Sequence, residues 1–306
     1  MKNVTTPTLL LNTKQCRQNI KSMVRKAQNT NVLLRPHFKT HQSRMVGKWF
    51  RNEGIHSITV SSVKMAQYFA QDGWKNISIA FPVNLLEATE INELAANIKL
   101  NVLIAGTQTV PLLDEKISNE LGVWIKIDTG YGRSGISSEK TGEIEQLLAQ
   151  IQKSKYLRLE GFLSHTGNTY HASSTQEIVS LFSDAKRKLS DLKKNYIMDF
   201  PDIKISLGDT PSASLVSDFS EIDEIRPGNF VFYDFMQYRL GSCNLKEIAV
   251  ALACPVVALY PDRNQMIVYG GAVHLSKEYI VDKNGEKNFG QLLKFTSDGW
   301  QALESN

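Results

Sequence analysis

The chain has 306 residues, a formal net charge of +4, and 42% apolar and 22% charged residues. This length suits one large domain, or a large domain and a smaller one. The small charge and the lack of a dense Lys/Arg stripe argue against nucleic acid as a partner. No apolar run reaches the roughly 20 residues that a membrane-spanning helix needs. Without a signal-peptide pattern, and with three widely spaced cysteines, we expect a cytoplasmic protein with reduced thiols.

Short β-rich runs alternate with longer segments of helical period along most of the chain. Thr13 is a candidate cap for the first helix, and residues 85–96 and 175–192 are the clearest later helices. Such alternation predicts parallel strands joined by helices. Eight strand–helix units predict an α/β fold of the (β/α)8 TIM-barrel type, with a doubly wound open sheet as the competitor. The predicted strands are residues 32–34, 57–60, 77–80, 100–104, 123–127, 159–163, 203–207 and 223–225.

The pattern changes towards the end of the chain, where residues 249–259 and 265–269 resemble strands joined by a turn at 261–264. Residues 8–11 are suited to add a strand to this region. We therefore predict a barrel of residues 13–235 and a smaller, mostly β C-terminal domain of residues 1–12 and 236–306. The predicted C-terminal domain looks incomplete.

Unusual residues follow the predicted strands. In such a barrel, catalytic groups lie on the loops at the carboxyl ends of the strands. Four of the six histidines fall there. The loops in question are residues 35–41, 128–135, 165–171, 208–212 and 226–229.

Lys39 lies between His37 and His41 and directly follows Phe38. A partly buried, cation-rich setting lowers the pKa of an amine and makes it a nucleophile towards carbonyl groups. The alternative is a surface lysine that happens to lie near histidines. Together with the other loops, the motif favours a functional lysine.

Gly208, Asp209 and Thr210 precede a short helix that Pro211 is suited to start. Exposed N–H groups at such a position attract phosphate, and the loops after strands 7 and 8 commonly bind it in these barrels. Gly228 and Asn229 would close this phosphate cup. Ordinary glycine turns are the alternative.

The other loops offer further candidate ligands. Arg133, in a Gly-rich loop, is either a surface charge or a donor aimed into the barrel mouth, and Asp128 is suited to hold that loop. His165 is either a core histidine or a ring that stacks on a ligand. Tyr170 offers a hydroxyl group.

Taken together, these loops resemble those of the fold-type III pyridoxal-phosphate enzymes, the alanine-racemase-like barrels. The closer similarity is to the D-threonine aldolase and D-serine dehydratase branch. The most specific segment is Arg-Pro-His-Phe-Lys-Thr-His at residues 35–41. The remaining similarity lies in residues 6–11, 128–135, 165–170, 208–212 and 226–233.

The resemblance implies pyridoxal 5'-phosphate bound as a Schiff base on Lys39 in the barrel domain. Arg133 would hydrogen-bond the phenolic oxygen, His165 would lie against the pyridine ring, and Tyr170 would lie near its nitrogen. It also implies a homodimer with the active site between subunits. The phosphate would be held by backbone and hydroxyl groups of Gly208, Asp209, Thr210, Gly228 and Asn229.

The implied activity is that of a lyase acting on a small D-amino acid, of the D-threonine aldolase or D-serine dehydratase type. An amino-acid racemase is the first alternative. It needs a second base, for which Tyr260, Tyr269 and Tyr279 are available. A non-catalytic carrier or regulator that binds the cofactor is the second alternative.

The metal site of this branch is the point of departure. The family places a divalent metal (Zn or Mn) in the β-domain, on a histidine and a cysteine or aspartate two residues apart. Neither pattern occurs in this sequence. We therefore expect no catalytic metal and little lyase activity in these 306 residues, and a metal only if the native chain continues past Asn306.

Overall fold

The computed structural model describes residues 4–281, 285–296 and 299–303. Strands and helices alternate along most of the chain. In chain order the elements are β1 (Thr8–Leu11), α1 (Thr13–Asn29), β2 (Leu33–Leu34), α2 (Arg44–Asn52), β3 (Ile58–Val60), α3 (Val63–Gln71), β4 (Asn76–Pro82), α4 (Ala88–Ala95), β5 (Lys99–Ile104), α5 (Thr109–Asp114), β6 (Leu121–Asp128), β7 (Ile136–Ser137), α6 (Thr141–Lys153), β8 (Leu157–Ser164), α7 (Thr175–Tyr196), β9 (Lys204–Leu207), α8 (Thr210–Leu215) and β10 (Glu224–Ile225).

Eight of these strands pair in parallel in the order β2-β10-β9-β8-β6-β5-β4-β3, and the short β7 pairs with β6. The chain beyond β2 closes the ring. Phe38 donates its N–H to the carbonyl of Thr59 at 2.8 Å, and Thr59 donates to the carbonyl of Pro36 at 2.9 Å. All eight predicted strands are present, and the predicted (β/α)8 barrel is confirmed. These hydrogen bonds join the two ends of the strand order, next to β2 and at β3, so the competing open sheet is excluded.

The helices follow from the periodicity of their apolar residues. In α7, Ile178, Phe182, Ala185 and Leu189 recur every three or four residues and are buried. The predicted cap of α1 is wrong by one residue. Asn12, not Thr13, accepts the N–H of Gln15 at 3.1 Å, because the helix already begins at Thr13.

The remaining elements are short. The predicted strand 249–259 is divided in two around Pro255, which has no N–H for a strand ladder. As predicted, β1 pairs with a strand of this region, residues 250–253, in antiparallel register. The elements are α9 (Phe235–Arg239), β11 (Val250–Ala253), β12 (Val256–Tyr260), β13 (Gln265–Val268), β14 (Ile280–Val281), β15 (Lys287–Asn288), β16 (Leu293–Thr296) and β17 (Gly299–Ala302).

The chain divides into two compact units. One comprises Arg17–Val231 and Leu240–Ser242 and contains the barrel. The other comprises Met1–Cys16, Phe232–Arg239 and Cys243–Asn306 and contains the small two-stranded sheets. Among the described residues, no helix combines the length and the apolar composition that crossing a bilayer requires.

Gly161 lies at the irregular pairing of β6 with β8, three residues before the end of β8. Its φ is +145°, and a Cβ atom there would lie 1.9 Å from the carbonyl oxygen of Lys204 on β9. Only glycine allows β8 and β9 to approach so closely. Gly161 therefore sets where the end of β8, and the loop that follows it, lie relative to β9.

We predict that Gly161→Ala lowers the free energy of unfolding by roughly 3 kcal/mol, because β8 and β9 must separate to admit the methyl group. Gly142→Ala is the matched control, since its Cβ meets nothing within 4 Å. As Gly142 lies in α6, this control should be neutral or stabilising by up to about 1 kcal/mol. Urea unfolding measures both. Equal midpoints for the two variants would contradict the prediction.

Candidate active site

The five loops singled out in the sequence follow parallel strands and so lie at the same end of the barrel. Their charged groups are close enough to influence one another. The charges of Arg133, Arg226 and Lys39 all lower the pKa of His165. The structure therefore brings the loops after β2, β6, β8 and β10 to a common site, which we call the barrel mouth.

Lys39 is exposed at the barrel mouth. The pKa of its amine is nevertheless lowered. The larger cause is partial removal of the amine from solvent, and the smaller is the positive charge of Arg133. The N–H of Lys39 donates to Nδ1 of His37 at 3.3 Å, which ties the lysine backbone to its neighbour. A larger fraction of this amine is unprotonated at neutral pH than for an ordinary lysine, as a nucleophile requires.

His165 follows β8 directly and is held in one orientation. Its Nδ1 donates to the carbonyl of Gly208 at 3.1 Å, which leaves Nε2 without a proton in the neutral ring. Burial lowers the pKa of His165 to about 3, so the ring is neutral at pH 7. Tyr131 and Tyr170 are its aromatic neighbours, with ring centroids 6.1 and 6.4 Å from that of His165.

The loops after β9 and β10 are joined through Thr210. Its Oγ1 accepts N–H groups from Gly228 at 3.2 Å and from Asn229 at 3.0 Å. Its own N–H points at the hydroxyl oxygen of Tyr170 at 3.4 Å. Two backbone N–H groups and a hydroxyl group thus meet at one point. These are the kinds of donor that a phosphate binds, and in this structure the N–H groups are engaged by Thr210 Oγ1.

The loop that carries Arg133 is organised by Asp128. One carboxylate accepts the N–H groups of Gly130, Tyr131 and Gly132, at 3.0, 3.0 and 3.1 Å to Oδ1. Burial acts to raise the pKa of Asp128, but these N–H groups outweigh it and the pKa is lowered. Arg133 itself is exposed, with its guanidinium 5.2 Å from the centre of the Tyr131 ring.

Two buried cations near the mouth were given no role in the sequence analysis, although the loop that begins with Arg226 was singled out. Burial and the charge of Arg226 lower the pKa of Lys126 to about 7. Arg226 is fully enclosed and donates to the hydroxyl of Ser206 and, at 2.5 Å, to the carbonyl of Ser164. The available signal was Lys126 itself, a lysine inside the otherwise apolar strand 123–127.

The predicted role of Asp209 in phosphate binding applies at most to its backbone. Its carboxylate accepts the N–H of Ser212 at 2.8 Å and so caps α8. It also contacts the hydroxyl groups of Thr166 and Thr169. The side chain is therefore engaged entirely within the protein.

The nine residues predicted to form the site are gathered at the barrel mouth, and their roles stay predictions. His41, by contrast, packs among aromatic side chains, with its ring centroid 4.4 Å from that of Phe38. Arg35 pairs with Glu224 at 2.7 Å inside the barrel. These two members of the most specific sequence segment thus have structural contacts.

The sequence model of the family described as alanine racemase, N-terminal domain, matches residues 11–234. The chain belongs to this family. The D-serine dehydratase of Dictyostelium discoideum is 30% identical over 94% of this chain and 79% of its own length. The D-threo-3-hydroxyaspartate dehydratase of Delftia sp. (strain HT23) is 28% identical over 89% of this chain and 73% of its own length. The predicted membership of the fold-type III pyridoxal-phosphate enzymes is confirmed.

Solved structures show the same fold. The structure of the D-threo-3-hydroxyaspartate dehydratase from Delftia sp. HT23 matches with a TM-score of 0.88 at 23% identity, over 97% of this chain and 79% of that one. The D-threonine aldolase from Filomicrobium marinum matches with a TM-score of 0.82 at 20% identity, over 97% and 81%. At these identities the similarity establishes the barrel and the β-rich region.

The family implies pyridoxal 5'-phosphate, and the residues at the mouth fit it. An aldehyde needs an unprotonated amine, and Lys39 has a lowered pKa. A phosphate needs N–H and hydroxyl donors, and the N–H groups of Gly228 and Asn229 lie at the hydroxyl group of Thr210, whose oxygen accepts them in this structure. For a metal, no group of three or more His, Cys, Asp or Glu side chains at ligand distances occurs among the described residues. The expectation about metal stays a prediction.

We predict that Asp128→Ala accelerates amide hydrogen exchange at Gly130, Tyr131 and Gly132 on the order of tenfold, because three N–H groups lose a charged acceptor. Since the pKa of Asp128 is lowered from 3.8, this protection is present above pH 4 and is lost as the pH falls through the folded-state pKa. The exposed Asp202→Ala is the control. Unchanged exchange at the three amides in Asp128→Ala would exclude the role given to this carboxylate.

Proposed function

We propose that this chain is a pyridoxal-phosphate-dependent lyase acting on a small D-amino acid that carries a hydroxyl group on the β-carbon. The observation that carries the proposal is the amine of Lys39. It lies at the mouth of a barrel of this family, and burial and Arg133 lower its pKa. The dehydratases and the aldolase among the relatives support the lyase class.

The chain offers a distinct group for each part of the cofactor. Lys39 Nζ would form the covalent bond to its carbonyl carbon, and Arg133 would donate to its phenolic oxygen. His165, neutral and fixed by Gly208, would lie against the ring, with Tyr170 near the ring nitrogen. The phosphate would be held by the N–H groups of Gly208, Asp209, Gly228 and Asn229 and by the hydroxyl and N–H of Thr210.

When bound, pyridoxal 5'-phosphate withdraws electrons from the bonds at the substrate's α-carbon. The protein's part is to place and move protons. A lysine with a lowered pKa accepts a proton at Nζ near neutral pH, so Lys39, when free, is the proposed base for the α-proton in a dehydration. Aldol cleavage instead needs a base for the β-hydroxyl proton. Both outcomes remain within the proposal, and their products differ.

The test begins with cofactor attachment. After incubation with pyridoxal 5'-phosphate and reduction with borohydride, we expect peptide mapping to find the label on Lys39. Lys39→Ala should lose the label, whereas Lys48→Ala, which removes an exposed lysine of α2, should retain it. A reducible chromophore that persists in Lys39→Ala would contradict the assignment.

Turnover is then measured with D-serine, D-threonine, D-3-hydroxyaspartate and both enantiomers of alanine. We expect keto acid and ammonia, or aldehyde and glycine, formed slowly and only when Lys39 is present. Because no metal is expected in these residues, a chelator or added Zn²⁺ or Mn²⁺ should leave the rate unchanged. Inversion of alanine without lyase products would instead indicate a racemase, and binding without any product a carrier.

We also propose that the protein is a cytoplasmic homodimer. Several apolar side chains of the hairpin β12–β13 are exposed, including Val257 at 62% and Leu259 at 66%. Exposed apolar patches are typical of protein–protein contacts. Light scattering should give twice the 34.4 kDa chain mass. A mass equal to one chain at micromolar concentration would contradict the dimer.

A further inference from the structure

Asp209 is buried, at 2% exposure, between two loops of the barrel mouth. Its Oδ2 contacts the hydroxyl of Thr166, and its Oδ1 lies 2.9 Å from the hydroxyl oxygen of Thr169. Both threonines belong to the loop after β8, which carries His165 and Tyr170. Asp209 itself lies in the loop after β9 and caps α8. The side-chain carboxyl group of Asp209 therefore joins the two loops.

The protons in this cluster can be counted. Thr169 Oγ1 lies 2.8 Å from the carbonyl oxygen of Thr166 as well as 2.9 Å from Asp209 Oδ1. With the contact between Thr166 Oγ1 and Asp209 Oδ2, there are three close oxygen–oxygen contacts. The two hydroxyl groups supply two protons for these three contacts. An ionised Asp209 would leave the hydroxyl proton of Thr169 divided between two acceptors, whereas a protonated Asp209 would supply a third proton, so that each contact has its own.

We infer that Asp209 is a neutral carboxylic acid that clamps the two loops together and leaves the predicted phosphate cup free of a carboxylate charge. Thr166 donates to Oδ2, Thr169 donates to the carbonyl of Thr166, and Asp209 Oδ1 donates to Thr169. The same Oδ1 accepts the N–H of Ser212 through a lone pair. Each of the three contacts then has one proton.

The surroundings favour the neutral form. Complete burial raises the pKa of Asp209, and the hydrogen bonds only partly oppose this effect. The nearby titratable groups are His165 and Tyr170 on the loop after β8, which contact Gly208 and Thr210, and Arg226 just after β10, which interacts electrostatically with Asp209. His165 is neutral, and the guanidinium of Arg226 is already bonded to Ser206 and Ser164. No ion pair to Asp209 occurs in the described part of the chain. A buried carboxylate without a paired cation is costly.

The neutral state matters because Asp209 lies between Gly208 and Thr210, whose N–H groups belong to the proposed phosphate cup. An ionised carboxylate next to this cup would repel a phosphate dianion, because the interior of the protein screens charges less than water does. A neutral acid caps α8 and ties the loops without that repulsion. Asp209 is thus a positioning residue. The effect on phosphate binding rests on the proposed function, whereas the protonation of Asp209 does not.

The protonation is tested first, on the protein without cofactor and with isotope-labelled aspartate. At pH 7 an ordinary aspartic acid, with a pKa of about 3.9, is ionised. We expect an infrared carbonyl band of a protonated carboxyl group in the parent protein and in the control Asp202→Asn, and its absence in Asp209→Asn. Equal spectra for all three proteins would overturn the inference.

Thr169→Val tests the direction of the hydrogen bond and does not require that Asp209→Asn folds. If Asp209 donates to Thr169, removing the acceptor destabilises the acid, and the band should titrate at lower pH than in the parent protein. If Asp209 is a carboxylate that accepts from Thr169, the same change should move the titration to higher pH. That second outcome would overturn the inference.

Cofactor binding tests the consequence. In Asp209→Asn a neutral amide replaces a neutral acid, so the affinities for pyridoxal 5'-phosphate and for pyridoxal, which lacks the phosphate, should change by the same factor to within about threefold. A gain of tenfold or more, confined to the phosphorylated form, would show that Asp209 was charged. If no variant binds the phosphorylated cofactor, the proposed function fails along with this consequence, and the infrared result separately decides the protonation.

Discussion

The hydrogen bonds between residues 36–38 and Thr59 close the barrel, and the arrangement of the mouth depends on that closure. Without it, the segment that carries Lys39 would follow an edge strand and be tied to the sheet only through β10. With it, Lys39 is held between β3 on one side and the loop after β10 on the other, where His37 donates its N–H to Pro227 at 2.9 Å. The backbone next to Lys39 is therefore fixed by hydrogen bonds on both sides.

A second constraint is electrostatic. The carboxylates near the mouth only partly offset the cations there. Asp128 is committed to its own loop, and Asp209 is enclosed by hydroxyl groups. Burial and mutual repulsion then lower the pKa of Lys39, Lys126 and His165 together. Such a site is prepared for an anion and for a neutral nucleophile, as a phosphorylated aldehyde requires.

The loops are coupled through side chains as well as backbone. His165 bonds to Gly208, and Thr210 accepts from Gly228 and Asn229, so the loops after β8, β9 and β10 form one connected set. The solved relatives share the fold at identities near 20%. A barrel of this kind tolerates extensive change in sequence because its strands are positioned by backbone pairing, whereas the function depends on a few loop residues.

The sequence by itself determined the alternation of strands and helices, since periods of two and of three to four are local properties of the chain. It also placed Lys39, Arg133, His165 and the residues near Gly208 and Gly228 at the carboxyl ends of strands, and hence at one end of a parallel barrel. Local patterns were insufficient for the cap of α1, where Asn12 competes with its neighbour Thr13, and for the strand divided at Pro255.

What only the tertiary structure decided is where side chains point. The carboxyl of Asp209 turns towards Thr166 and Thr169, about 40 residues away along the chain. Lys126, inside an otherwise apolar strand, lies close enough to Arg226 for that charge to lower its pKa. Contacts of that kind form between distant residues when the barrel closes, so no periodicity in the chain records them.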